Sequence, residues 1–176
     1  NVETLRQDFG KDYIAQVPKY DGFCTIPSHT DYRREIHGFL NRYEPISTVP
    51  AESEFPHIRD FLCHIFSEQI ELGLDYLQLL YLRPLQRLPI VLLVSSERNT
   101  GKTTFLNFLK LIFEGNVTFN TNEDFRSQFN DDWTGKLLVC VDEVLLNRRE
   151  DSERIKNLST ARSYKAEAKA VSYTHL

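Results

Sequence analysis

A chain of 176 residues with 41% apolar and 12% aromatic side chains can bury one good core, and this composition excludes a disordered, charge-dominated polypeptide. Its net charge of −4 excludes polyanion binding by the molecule as a whole, so any nucleic-acid contact must come from a local basic strip. Cys24, Cys63 and Cys140 are widely spaced and odd in number, which excludes a disulfide framework and reads as buried thiols in a reducing compartment. His29, His37, His57 and His64 are scattered and read as packing or surface histidines, with no metal site suggested. No apolar run is long enough to span a bilayer and no secretory leader is visible, so the expected location is the cytoplasm, with no membrane partner.

In chain order, residues 1–53 read as an entry segment that precedes the main core. Lys19 to Phe23 is expected to turn, Asp31 to Tyr43 to form a short helix, and Pro45 and Pro50 to break the chain. From Phe55 onward, Ile58, Phe61, Leu62, Ile65, Phe66 and Ile70 recur at helical spacing, with Arg59 and Glu68 off that face. Gly73 is expected to end this helix. The next, Leu74 to Leu82, is apolar nearly all round and is expected to be buried, with Pro84 stopping it.

Ile90 to Val94 is an unbroken apolar run, the pattern of a parallel strand covered on both faces. It empties into Ser96, Glu97, Arg98, Asn99, Thr100, Gly101, Lys102, Thr103 and Thr104, followed by a helix with Phe105, Phe108, Leu109 and Ile112 on its buried side. This is the layout of a phosphate-binding loop. Loop N–H groups and the positive helix end surround the phosphates, Lys102 reaches the β and γ oxygens, and the Thr103 hydroxyl ligates Mg²⁺. The motif G-x-x-x-x-G-K-[ST] asks for glycine where this chain has Ser96, so the loop must open in a conformation that a β-carbon tolerates.

A turn at Glu114 to Asn116 leads to a short strand, Val117 to Phe119, and Thr121 to Asp124 supplies capping residues for a helix carrying Phe125 and Phe129. Trp133 to Gly135 turns the chain into Lys136 to Val141, a second apolar strand ending in Asp142 and Glu143. A carboxylate pair at a strand end fits Asp142 organising the Mg²⁺ shell and Glu143 deprotonating the attacking water, on a strand expected to lie beside the loop-bearing one. Asp151 to Leu158 reads as a helix. Arg148 to Lys169 holds seven lysines and arginines against four carboxylates, reversing the sign of the whole, with Arg162, Lys165 and Lys169 available to phosphates. Asn1 and the absence of methionine suggest a chain cut at both ends, and Val171 to Leu176 reads as a non-native tail.

The stretches Leu72 to Pro84, Glu97 to Thr104, Asn122 to Arg126, Val141 to Glu143 and Ile155 to Thr160 with its trailing lysines resemble the helicase portion of primase-helicase proteins carried by phages and mobile elements, members of the superfamily-three helicases. The resemblance implies an α/β fold, an AAA+-like P-loop NTPase core with a parallel sheet preceded by a helical layer, over residues 54–170. It also implies ATP and Mg²⁺ as cofactors, a hexameric ring around single-stranded or forked DNA, and DNA contact by Lys165 ahead of Lys169. Residues 1–53 match the linker before the helicase domain, so no primase chemistry is expected of this piece. The family's sensor asparagine and inter-subunit arginine are expected beyond residue 176, and the fragment alone is expected to hydrolyse ATP poorly. The implied function is ATP-dependent DNA unwinding in replication. A rival is an ATP-switched DNA-binding or scaffold protein that never unwinds. A small-molecule kinase would need an acceptor site and a lid of arginines, neither of which the sequence displays.

Overall fold

The computed structural model describes residues 2–17, 19–121, 123–124, 133–141 and 149–160, and the chain divides into two compact units, Asn1–Ile26 with Arg33–Arg42, and Pro27–Tyr32 with Tyr43–Leu176.

In the first unit, helices α1 (Val2–Phe9) and α2 (Lys11–Gln16) are separated by Gly10 at φ 83°, and the Phe9 and Tyr13 rings stack across that break at 4.8 Å. A three-stranded sheet follows, in which β3 (Phe39–Asn41) runs parallel to β1 (Gly22–Cys24) and antiparallel to β2 (Glu35–Ile36). The helix expected over 31–43 is therefore a hairpin. His37 at φ 50° and Gly38 at φ 82° place two successive left-handed residues in its turn, a geometry that suits a two-residue hairpin and breaks a right-handed helix. Asn41, buried, braces the unit: its Nδ2 donates to the carbonyls of Ile26 at 2.9 Å and Arg33 at 3.0 Å, and its Oδ1 accepts from the Ile26 N–H at 3.0 Å.

The second unit begins with α3 (Pro56–Phe66), where proline occupies the first turn without the loss of a helical hydrogen bond. A 3₁₀ turn, Ser67–Gln69, joins it to α4 (Ile70–Leu82). The break between helices is this turn, with Ser67 at φ 49°, and not Gly73, which lies inside α4. Glycine weakens a helix interior by roughly 1 kcal/mol against alanine, but here a β-carbon would sit 2.5 Å from the Phe66 ring, so the small residue lets α4 approach α3. Phe66 in turn meets Phe105 edge-on at 5.3 Å, and Phe61 meets Phe108 at 6.1 Å, which ties α3 to α5 (Lys102–Phe113).

On α5, Phe105, Leu109 and Phe113 fall at helical spacing on one face and are buried with Leu62, Leu80, Val117 and Cys140 as the core. A 3₁₀ turn, Glu114–Asn116, feeds β4 (Val117–Asn120), which pairs in parallel with β5 (Leu138–Val141), Val117 opposite Leu138 and Asn120 opposite Val141. Polar side chains close the ends of these elements. Lys110 Nζ donates to the Val117 carbonyl at 2.6 Å, Lys136 Nζ to that of Gly115 at 2.7 Å, and Asn116 Nδ2 to that of Glu44 at 2.7 Å. The last described element is α6 (Arg149–Thr160), which contains the helix expected from Asp151 to Leu158.

Three further expectations change. Ile90 to Val94 forms no β-ladder among the described residues; Ile90 is 59% exposed, Leu92 64% and Val94 79%. The run is apolar enough for a buried strand, but a strand is buried only when it lies within a sheet covered on both faces, and the described strand beside β5 is β4 rather than this one. Helix α4 is not buried all round either, since Leu72 and Leu82 are exposed while Gly73 and Leu80 are buried, Leu80 in the core cluster that also holds residues of α3, α5 and β4. Of the three thiols only Cys140 is buried, and Cys63 is exposed on the outer side of α3. Burial pushes the Cys140 thiol up, against a smaller opposing pull from the Lys110 ammonium, which makes it a poor nucleophile.

His29 sits among aromatic rings, stacked on Tyr81 at 5.3 Å and tilted against Phe113 at 5.5 Å, with the Tyr43 hydroxyl 3.2 Å from its Nδ1. Burial lowers its pKa below 6.5, outweighing a backbone hydrogen bond at Leu80 that raises it. With the folded value below the unfolded one, the unfolded chain takes up the proton first, so this contribution to stability is whole above the unfolded pKa and is lost as pH falls toward and through the folded one. The urea midpoint of the protein is expected to drop between about pH 7.5 and about pH 5.5, and to drop less in His29→Phe. Equal drops in the two proteins would count against this role for His29.

Candidate functional site

The candidate site is the loop from Ser95 to Gly101 and the first turn of α5. Ser95 folds the opening of the loop on itself, its Oγ accepting from the Glu97 N–H at 3.0 Å and donating to the Glu97 carbonyl at 3.0 Å. The left-handed positions then fall at Asn99, φ 57°, and Gly101, φ 85°. Ser96 is not among the positive-φ residues, so the serine in place of the motif's first glycine introduces no backbone strain. Asparagine is the side chain after glycine that best tolerates the left-handed region, and the chain places one there.

Gly101 is the residue before α5, and its carbonyl accepts the first helical bond from the Phe105 N–H at 2.9 Å. A β-carbon on it would meet Ile65 Cδ1 at 3.3 Å and Phe61 Cε2 at 3.6 Å, so α3 forms the back wall of the turn. The first N–H groups of α5 have no partner within the helix, and the helix dipole adds positive potential there. Lys102, half-buried, folds over the loop: its Nζ donates to Thr100 Oγ1 at 2.9 Å and lies 3.4 Å from the Glu97 carbonyl oxygen. Both acceptors are neutral, and the charged oxygens of a phosphate would bind the ammonium more strongly. Glu97, Arg98, Asn99, Thr103 and Thr104 are exposed around the same opening.

A cavity of about 700 Å³ opens beside the loop. Ile65, Phe66 and Tyr76 form its helical wall, residues 88–95 its other wall, and Thr100 and Lys102 its edge.

The second half of the expected site begins where β5 ends. Val141 is the last described residue of that strand, and Asp142 and Glu143 directly after it lie outside the described residues, as do Arg162, Lys165 and Lys169. Opposite Val141, Asn120 ends β4 at 7% exposure, and its Oδ1 has no hydrogen-bond partner among the described residues. A buried acceptor without a donor is unfavourable by about 1–3 kcal/mol, and it stands at the carboxyl end of parallel strands, where α/β sheets bind ligands. Among the described residues no cluster of three or more histidines, cysteines or carboxylates could hold a metal, and Thr103 is the one expected Mg²⁺ ligand they include. The loop, Lys102 and the N-terminus of α5 together fit a nucleoside triphosphate.

Thr121 and Asp124 pair as capping residues do, while Phe125 and Phe129 of the helix expected after them lie outside the described residues. Asp124 Oδ2 accepts from the Thr121 N–H at 3.0 Å and hydroxyl at 2.8 Å, and Thr121 Oγ1 accepts from the Asp124 N–H at 3.2 Å. One site neighbour escapes sequence reasoning. His64 at the end of α3 places Nε2 3.2 Å from the Thr100 carbonyl oxygen, and no local pattern signals a contact between residues so far apart in sequence.

Residues 93–175 match the model of a family of unknown function, DUF5906. The chain is also 26% identical over 148 residues to a DNA primase-polymerase of Nitratiruptor phage NrS-1, an alignment that takes in 80% of this chain and 20% of the relative. Among solved structures it is similar to the apo NrS-1 C-terminal region, residues 305–718, with a TM-score of 0.70 at 22% identity over 96% of this chain and 44% of that one. A second apo form of that region gives a TM-score of 0.68 at 24% identity, with 42% of its length covered. The chain thus spans about a fifth of the curated relative it matches, and its fold is that of part of the NrS-1 C-terminal region. No helix of the described residues is long and apolar enough to cross a membrane.

Proposed function

We propose that this chain is the nucleotide-binding part of an ATP-driven DNA-unwinding motor in a phage-type replication protein, built on an AAA+-like P-loop core of the superfamily-three kind. The observation that carries the reading is the turn at Gly101, left-handed and backed by α3, from which a twelve-residue helix starts with Lys102 over the loop. The similarity to a phage DNA primase-polymerase supports replication as the setting and DNA as the polymer. That relative is named for priming and polymerisation, so unwinding is this reading's own step.

In this mechanism the loop N–H groups and the N-terminal turn of α5 bind the phosphates. Lys102 leaves Thr100 Oγ1 and orients the outer oxygens. The Thr103 hydroxyl and Asp142 would hold a Mg²⁺ ion, which would neutralise phosphate charge there, and Glu143 takes the proton of the attacking water. MgATP, when bound, supplies the phosphoryl group and the free energy of its transfer to water. Arg162, Lys165 and Lys169 grip the DNA backbone of a single strand. Subunits assemble as a hexameric ring around that strand in the cytoplasm of the infected cell.

A second reading is favoured by the name of the phage relative: an ATP-switched module that holds DNA for priming and does not unwind it. Phosphate release and displacement of a labelled strand from a forked duplex, measured on the full-length protein with and without single-stranded DNA, distinguish the two. DNA-stimulated hydrolysis with strand displacement is the expected result. Hydrolysis without displacement selects the switch, and no hydrolysis in any condition removes both.

A further inference from the structure

We propose that His64 is a positioning residue of the phosphate loop, and that it aims the Gly101 N–H at the triphosphate by holding the Thr100 carbonyl. The inference deepens the nucleotide reading above and rests on it. Its starting point is the 3.2 Å contact between His64 Nε2 and the Thr100 carbonyl oxygen, made from the last turn of α3 across to the loop. A carbonyl accepts only, so the Nε2 nitrogen carries the proton and donates.

Thr100 stands between Asn99 at φ 57° and Gly101 at φ 85°. Glycine is nearly indifferent to the sign of φ, so the peptide joining Thr100 to Gly101 has little intrinsic preference for one face. That peptide is a rigid trans unit in which the carbonyl and the N–H point in opposite directions. A donor on α3 that fixes the Thr100 oxygen toward the helix therefore fixes the Gly101 N–H away from it, into the mouth of the loop. The helix also blocks that side sterically: Ile65, Phe61 and His64 atoms lie 3.3, 3.6 and 3.8 Å from where a Gly101 β-carbon would be. Thr100 also couples this contact to the lysine, because its Oγ1 accepts from Lys102 Nζ at 2.9 Å. One residue thus receives His64 on its backbone and Lys102 on its side chain.

The test uses the full-length protein, a fluorescent MgATP analogue for the dissociation constant, and phosphate release for kcat and KM. His64→Ala and His64→Phe, the second keeping a ring without a donor, are expected to raise Kd and KM about three- to tenfold, the range of one hydrogen bond. The turnover number is expected to stay within about twofold, since the contact acts on binding rather than on the reacting atoms. His64→Gln, whose amide nitrogen donates from a similar position, is expected to restore wild-type affinity, an outcome that a packing role does not produce. Wild-type affinity in both His64→Ala and His64→Phe, while Lys102→Ala weakens binding on the order of 10- to 100-fold, overturns the proposal and leaves the nucleotide reading intact. Failure of His64→Gln to improve on His64→Ala overturns it as well. No analogue binding by the wild-type protein sinks the nucleotide reading, and this inference with it.

Discussion

Lys102→Ala is expected to abolish ATP hydrolysis, lowering it by at least about 100-fold, because Lys102 is the cation whose ammonium folds over the loop onto Thr100 Oγ1 and, in the proposed mechanism, follows charge onto the outer phosphate. The lysine makes two contacts, to Thr100 Oγ1 and to the Glu97 carbonyl, and both acceptors lie in an open loop. Its removal leaves the loop N–H groups and the end of α5 to hold the phosphates alone. These donors carry only partial charge, so affinity for MgATP is expected to fall on the order of 10- to 100-fold as a charge-assisted bond is lost. The fold should not notice: a substitution of this kind outside the core usually moves stability by no more than about 0.5 kcal/mol. Equilibrium binding of a fluorescent MgATP analogue, phosphate release and a urea titration on the same preparation test all three statements. Retention of wild-type hydrolysis would mean that Lys102 is a solvated helix-start residue and that the loop serves another purpose.

The turn at Gly101 and the helix that follows it were legible in the sequence because they are local objects. Gly101, Lys102 and Thr103 are consecutive, the helix they start has an apolar face written at helical spacing, and the turn needs no distant residue to be recognised. The same holds for α3, for the Thr121–Asp124 cap and for the strand Leu138–Val141. Where reading failed, the deciding contact was distant or was a backbone sign that side chains only hint at. Gly73 looks like a helix terminator in one dimension and is a packing residue in three, because Phe66 lies where its side chain would be. Residues 31–43 carry spaced apolar residues that fit a helix, but His37 and Gly38 take left-handed angles and the β3 strand finds its parallel partner in Gly22–Cys24. Ile90 to Val94 has the composition of a buried strand, and composition cannot say which strands flank it. His64 belongs to the same class as Gly73. Its distance to Thr100 is set by the packing of α3 on α5 through Phe61, Phe66, Phe105 and Phe108, and no sequence window contains all of them.

Glu143→Gln should separate binding from chemistry where Lys102→Ala merges them. Val141 closes β5 at the carboxyl end of the sheet, where the buried Asn120 Oδ1 has no donor among the described residues, and Glu143, two positions on in the sequence, lies outside them. Glutamine has the size and most of the hydrogen-bonding capacity of glutamate but cannot accept a proton from water at neutral pH. The variant is therefore expected to bind MgATP about as tightly as the wild type, while hydrolysis falls by about 100- to 10,000-fold, the range associated with a general base. A rapid-quench measurement of bound nucleotide should find intact ATP accumulating on the protein. The contrast with Lys102 carries the argument: a shared defect in binding would make both residues part of one phosphate cradle, whereas loss of turnover with binding preserved assigns Glu143 to the water. Undiminished hydrolysis in Glu143→Gln would move the base elsewhere and reduce the acidic strand end to a structural turn.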